Sequence, residues 1–187
     1  MTMPDYISGR KQYSRPQALL WTDSYQIDTG LYLPVGTEYE DFIILSDHNR
    51  SEISVSVDRI ENRKRMINGT MRSYFVAQKE KFSFSWNMLP SRAYDANPSF
   101  DPLTGLETVT TTMHTADGGA GGWDVHDWYK SHSGPFYMLL SYDSGAAYGN
   151  TYKYVRAVHV YFASFEHTVV KRGITDFWNV SVELEEV

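Results

Sequence analysis

The 187-residue chain contains no cysteine. That absence excludes disulfide staples, thiolate zinc sites and cysteine nucleophiles together. No apolar run approaches the ~18 residues that cross a bilayer, so no membrane span is expected. Positive charge is short as well: 17 basic against 23 acidic side chains give a net charge of −6. Such a balance argues against an electrostatic grip on nucleic acid. The start, Met1-Thr2-Met3-Pro4-Asp5-Tyr6, is polar. It shows no apolar stretch before a small-residue cleavage site, so no secretory signal is expected and synthesis in a cytoplasm follows. On that expectation the Asn-X-Ser/Thr triplets at Asn49, Asn68 and Asn179 go unglycosylated.

Catalytic signatures are missing too. The glycine run Asp117-Gly118-Gly119-Ala120-Gly121-Gly122 is followed by Trp123 and Asp124. A phosphate-binding loop needs Lys-Ser/Thr there, and no βαβ pattern surrounds the run, so it reads as a flexible loop. There is no Gly-x-Ser-x-Gly nucleophile elbow. Acid pairs such as Glu38-Tyr39-Glu40-Asp41 and Glu183-Leu184-Glu185-Glu186 read as solvated charge. Asp95, Asn97, Ser99 and Asp101 alternate as at the start of a calcium loop. Phe100 stands where that loop needs glycine, and Leu106 where it needs glutamate. His126 and His132 are six apart, which is not the i, i+4 spacing of a zinc-binding helix; a site assembled through space from His114, Asp117 and His126 is the remaining metal option. The expectation is a protein that is not an enzyme and carries neither cofactor nor metal.

What the chain does have is rings and alternation. Aromatic residues make up 15% of it, and 14 of them are tyrosines, a ratio that suits half-covered sheets, interfaces or sugar-stacking faces. Period-two segments dominate. Ile53, Val55 and Val57 alternate with Glu52, Ser54, Ser56 and Asp58; Phe82, Phe84 and Trp86 repeat the design with larger rings. Asp41 to Ser46 is a short continuous apolar run, as in a strand covered on both faces. Asn68-Gly69 between Arg65-Met66-Ile67 and Thr70-Met71-Arg72 predicts a hairpin with a two-residue turn. Strands are also expected at 136–142, 152–165, 168–171 and 177–184, the last with Trp178, Val180, Val182 and Leu184 on one face. A short helix over about 124–132, with Asp124 as N-cap, carries Val125, Trp128, Tyr129 and His132 on one side and ends at Gly134-Pro135. It is expected to plug an open end of the β-structure. The fold class is therefore mainly β: an antiparallel β-sandwich or barrel with one short helix and a long loop insertion. Residues 1–35 form an N-terminal arm and first strand region, and 36–187 one β domain. Its insertion, about 90–107, carries Pro90, Pro98, Pro102 and Gly105 and reads as too turn-rich for a regular element.

This layout, closing on Arg172-Gly173-Ile174-Thr175-Asp176-Phe177-Trp178-Asn179-Val180-Ser181-Val182-Glu183-Leu184-Glu185-Glu186-Val187, resembles tailed-bacteriophage tail proteins of the tail-tube-like fold: tube subunits, distal tail proteins and baseplate tube-initiators. The likeness runs from about Gly36 onward, with Ser133-Gly134-Pro135-Phe136 and Phe177-Trp178-Asn179-Val180 its most familiar pieces. It implies a virion protein assembled in the bacterial cytoplasm and a homo-oligomeric, hexameric ring. Such a ring would contact other tail or baseplate proteins and pass DNA transiently, without binding it specifically. Candidate interface residues on this reading are Trp123 just before the helix, Trp128 and Tyr129 on it, and Pro98, Phe100 and Pro102 in the insertion. Removing Ala93 to Pro102 is expected to leave the β core folded while stopping association. The alternative is a carbohydrate-binding β-sandwich stacking sugars on Trp86, Trp123, Trp128 or Tyr129.

Overall fold

The computed structural model describes residues 18–28, 30–35, 41–100, 107–141, 155–171 and 176–187. The fold is mainly β and antiparallel with one helix, as the alternation requires. Its elements in chain order are β1 (Ala18–Thr22), β2 (Tyr25–Asp28), β3 (Leu31–Pro34), β4 (Phe42–Ile44), β5 (Ser54–Arg65), β6 (Met71–Pro90), β7 (Tyr94–Phe100), β8 (Glu107–Met113), α1 (Gly122–Ser131), β9 (Phe136–Ser141), β10 (Arg156–Lys171) and β11 (Phe177–Glu186). Seven strands form one sheet in the order β4-β1-β9-β10-β11-β6-β5; β2–β3 and β7–β8 are separate hairpins.

The sheet is strongly curled. β1 and β6 stand four places apart, about 19 Å along a flat sheet. Yet the Trp21 and Phe84 rings lie 6.3 Å apart, and Trp21 meets Phe162 of β10 at 5.2 Å. Inside the curl sits the main core: Trp21, Phe82, Phe84, Trp86, Phe136, Met138, Val180, Val182 and Leu184, closed from above by Val125 and Trp128 of α1. The 45–51 connection then laces β4 to the far flank, with a bridge from Arg50 to Trp86, while the Trp86 indole donates to the Ser46 carbonyl at 2.7 Å. The helix plugs the curl, as its ring stripe requires. On the outer face the β2–β3 hairpin covers a smaller cluster of Leu20, Phe42, Ile44 and Leu139 with Tyr25, Tyr32 and Tyr137. That double covering is why Phe42 to Leu45 is continuously apolar, since alternate residues serve opposite cores.

Several local expectations change. The hairpin at Asn68-Gly69 has a three-residue turn. Met66 N–H donates to Thr70 O, Gly69 N–H donates to Met66 O, and only Gly69 takes a positive φ, +83°. This is a type I turn closed by a left-handed glycine. β10 is one strand of 16 residues where two were expected. The 90–107 segment is not structureless, because β7 pairs with β8 from Tyr94↔Met113 to Phe100↔Glu107. A proline suits such an isolated ribbon, where one strand edge needs no donors. Residues 18–35 supply three strands, and β1 lies inside the sheet between β4 and β9. Residues 1–17 of the expected N-terminal arm and Asp101 lie outside the described residues.

The glycine run is packed, not flexible. A Cβ on Gly119 would stand 2.6 Å from Ser46 Cα, and one on Gly121 2.6 Å from the Arg92 backbone. These glycines are there for close backbone approach. Gly121 is the N-cap of α1; Asp124, one turn in, accepts from the N–H groups of Gly121 (2.8 Å) and Ala93 (3.2 Å). Asp117 pins the other end of the run, accepting from Ser46 Oγ, Asp47 N–H and Gly119 N–H.

Candidate functional site

Strand β6 leaves the sheet part-way along its length. Its residues from Lys81 to Pro90 pair with β11, whereas the pairing with β5 continues out to Arg65↔Met71. Residues 57–80 therefore form a two-stranded arm beyond the body, roughly 35–40 Å from root to tip at the usual strand rise. The sequence pattern that predicted a buried face for Val55 and Val57 holds only at the root. Ile53 packs on the main core, but Val55, on the edge strand beside Phe82, and Val57 are exposed, with no layer over them among the described residues. Further out Ile60, Met66, Ile67, Met71, Tyr74, Phe75 and Val76 are all exposed.

The arm's two faces differ. One carries Arg59, Glu61 and Arg63 opposite Phe75 and Ser73. Ser73 Oγ donates to Glu61 at 2.7 Å, Arg59 sits over the Phe75 ring and pairs with Glu61, and Arg63 also pairs with Glu61. The Ser73 and Arg63 hydrogen bonds hold the Glu61 carboxyl below its ordinary pKa. The other face carries Ile60, Asn62 and Lys64 opposite Ala77, Tyr74 and Arg72. Here Lys64 stands directly across from Arg72, and the segment from Arg63 to Arg72 holds four cations and no acid.

Behind the arm's root the outer face of β6-β11-β10 lies open. Its residues are small and polar (Ser83, Ser85, Asn179, Ser181) with Glu166, Glu183 and Glu185, and they line two adjoining shallow depressions. Lys81 lies in this face, 2.8 Å from Asp58 and 3.6 Å from Glu185. Those two carboxylates, Asp58 foremost, raise its pKa.

A second surface lies on α1. Trp123 and Tyr129 are 43% and 39% exposed. Tyr129 stacks on Phe165 at 4.6 Å and Trp123 meets Trp178 edge-on at 5.9 Å. Between them His126 lies 5.0 Å from His167, which stacks on Trp178. Burial above all, aided by Lys130 and His167, lowers the His126 pKa, and its Nδ1 is buried without a hydrogen-bond partner.

Of the expected interface residues, Trp123 and Tyr129 thus both reach the surface, on either side of His126. Trp128 is not available: at 4% exposure it belongs to the core and stacks on His132 at 3.7 Å. Trp86 is equally buried and cannot stack on a sugar. Pro98 and Phe100 belong to β7, paired with β8, and Pro102 lies outside the described residues. Ala93 is a buried body residue whose carbonyl accepts from His114 and Thr115, so the Ala93–Pro102 deletion would cut into the body. The backbone of Asp95, Asn97 and Ser99 runs extended in β7 and does not wrap round an ion. Asp117 is occupied in the glycine-run pin while His126 sits beside His167; among the described residues no group of three or more His, Asp or Glu could hold a metal. Sequence reasoning missed the arm as a site. Its signal was there in the hairpin turn flanked by four cations and by Met66, Ile67 and Met71.

No protein-family model and no curated protein matches the chain.

Proposed function

We propose that this chain is a structural subunit of a tailed-bacteriophage tail, assembled as a hexameric ring in the tail tube or at the tail tip or baseplate, through which DNA passes. The observation that carries the reading is a sheet left unfinished on one flank. β5 is an edge strand, the outer face of β6, β11 and β10 from Ala163 on has no covering layer among the described residues, and an apolar arm extends from the same flank. Exposed edges and apolar patches of this kind are liabilities in a monomer and are removed when neighbours cover them. A head-to-tail contact between copies closes into a ring when its rotation allows. The net charge of −6 keeps DNA mobile in such a ring, and other tail or baseplate proteins would meet its two rims. The test is mass and shape: light scattering after size exclusion, with negative-stain electron microscopy, should give a ring several times the 21.5 kDa protomer. A monomer at high micromolar concentration overturns the reading.

A second reading, a carbohydrate-binding module, is favoured by the exposed pair Trp123 and Tyr129. A monomer retained by a glycan array, with retention lost in Trp123→Ala, would establish it in place of the first.

A further inference from the structure

The arm is costly to leave in water on two counts. Its eight exposed large apolar side chains, Val57 to Val76, meet no covering layer among the described residues. And Lys64 is paired in register with Arg72, although like charges directly opposite each other destabilise a ribbon. Residues 57–80 hold six basic and three acidic side chains; the rest of the chain holds eleven basic and twenty acidic. Arm and body are therefore of opposite sign. Glu166 and Glu183 stand in the small-residue depressions of the open face, both exposed.

We propose that the arm lies in the open face of a second copy, with Ile60 and Tyr74 packed over its small side chains and Lys64 and Arg72 meeting its Glu166 and Glu183. This rests on reading the chain as a self-assembling subunit and names the contact. Three features select this occupant. The charges are complementary within one sequence, so a copy of the chain brings its own anions. One face of the 24-residue ribbon offers about half of those residues, fewer than the ~20–30 of a stable interface, and a ring makes up the difference because every copy contributes both an arm and an open face. And apolar side chains run the whole length of the ribbon, whereas a membrane or a nucleic acid would need them only at the tip or not at all. Docking is by face. The edge of the arm is blunted against strand addition, since six of the twelve β5 residues, Asp58, Arg59, Glu61, Arg63, Lys64 and Arg65, are charged.

The test is a charge exchange on the full chain, read by sedimentation velocity across a concentration series. Lys64→Glu with Arg72→Glu should weaken self-association by about tenfold or more, and Glu166→Lys with Glu183→Lys should do the same. An equimolar mixture of the two variants should associate again. Far-UV circular dichroism and thermal unfolding check that each variant folds, and 0.5 M salt should weaken wild-type association. Reversed variants that associate like wild type overturn the arm contact while leaving the ring reading standing. Closed dimers, lost on reversal and regained on mixing, support the contact and overturn the ring. A wild-type monomer that instead binds anionic vesicles or duplex DNA through Lys64 and Arg72 overturns this proposal.

Discussion

Strand β6 is two strands in one, and the contrast between its halves shows what alternation does and does not specify. In the body half, Phe82, Phe84 and Trp86 are buried; in the arm half, Tyr74, Phe75 and Val76 are 73%, 50% and 60% exposed. The residue types are alike. What differs is the layer beneath: α1 and the curled sheet lie under the first set, and none of the described residues lies under the second. Alternation therefore specifies a strand with an apolar side, while a partner must be found for that side either within the chain or outside it. Body residues should govern folding and arm residues association.

The sharpest way to break this division is at Trp86. Its ring fills the core and its indole N–H is bonded to Ser46 O, so Trp86→Ala should remove ~3–5 kcal/mol by cavity formation plus an orphaned carbonyl. Urea denaturation measures it. A loss below 1 kcal/mol would mean that the body is not held by this core. Next in size is Gly121→Ala. The new Cβ would meet the Arg92 backbone at 2.6 Å, and backbone cannot rotate aside, so about 1–3 kcal/mol should be lost in the same measurement. Gly69→Ala is the matched control in the arm. Its Cβ meets nothing, and only the positive φ opposes it, for about 1 kcal/mol confined to the turn.

How much was legible without the structure follows the same boundary. Wherever one strand's alternation meets a layer supplied by a nearby element, as at Phe82 to Trp86 or Trp178 to Leu184, strand and burial could both be read. Phe42 to Leu45 was legible as doubly covered because two cores demand continuous apolarity. The glycine run misled, because close packing and flexibility ask for the same residue; only the position of Ser46, some seventy residues upstream, decides between them. Trp128 misled for a related reason. A ring stripe on a short helix does not say which rings face inward, and the structure turns Val125 and Trp128 into the core while Trp123 and Tyr129 flank it at the surface. The β7–β8 ribbon was hidden by Pro98, since a proline opposes a central strand but not an isolated pair.

The pH response sharpens the comparison further, because the half-buried His126 imidazole is in the body. The His126 pKa lies below 6.5 in the folded protein, chiefly because burial disfavours the charged ring. Above pH 6.5 the group is neutral in both folded and unfolded chains, and its full contribution is present. As the pH falls below 6.5 the unfolded chain takes up the proton first, and stability is lost until the folded group titrates. The thermal midpoint of the wild type should therefore drop between pH 7 and 5 by more than that of His126→Gln. Parallel curves for the two proteins would show that the imidazole is not held neutral by the fold.

The smallest expected effect is the most telling about the arm. Tyr74 is 73% exposed, opposite Asn62 on the outer part of the ribbon, well beyond the root where Lys79 and Glu80 meet Val187, Glu186 and Arg156. A side chain so placed contributes little to the monomer, so Tyr74→Ser should change unfolding free energy by no more than about 0.5 kcal/mol. The same substitution takes away a ring that an interface would cover, and truncating such an aromatic anchor costs association about 2 kcal/mol or more, some thirtyfold in affinity. Dilute-protein unfolding and concentrated-protein sedimentation thus give opposite answers for one residue if the arm is an assembly element. A Tyr74→Ser chain that unfolds early when dilute would instead tie the arm to the stability of its own body, and the division between the two halves of β6 would fail.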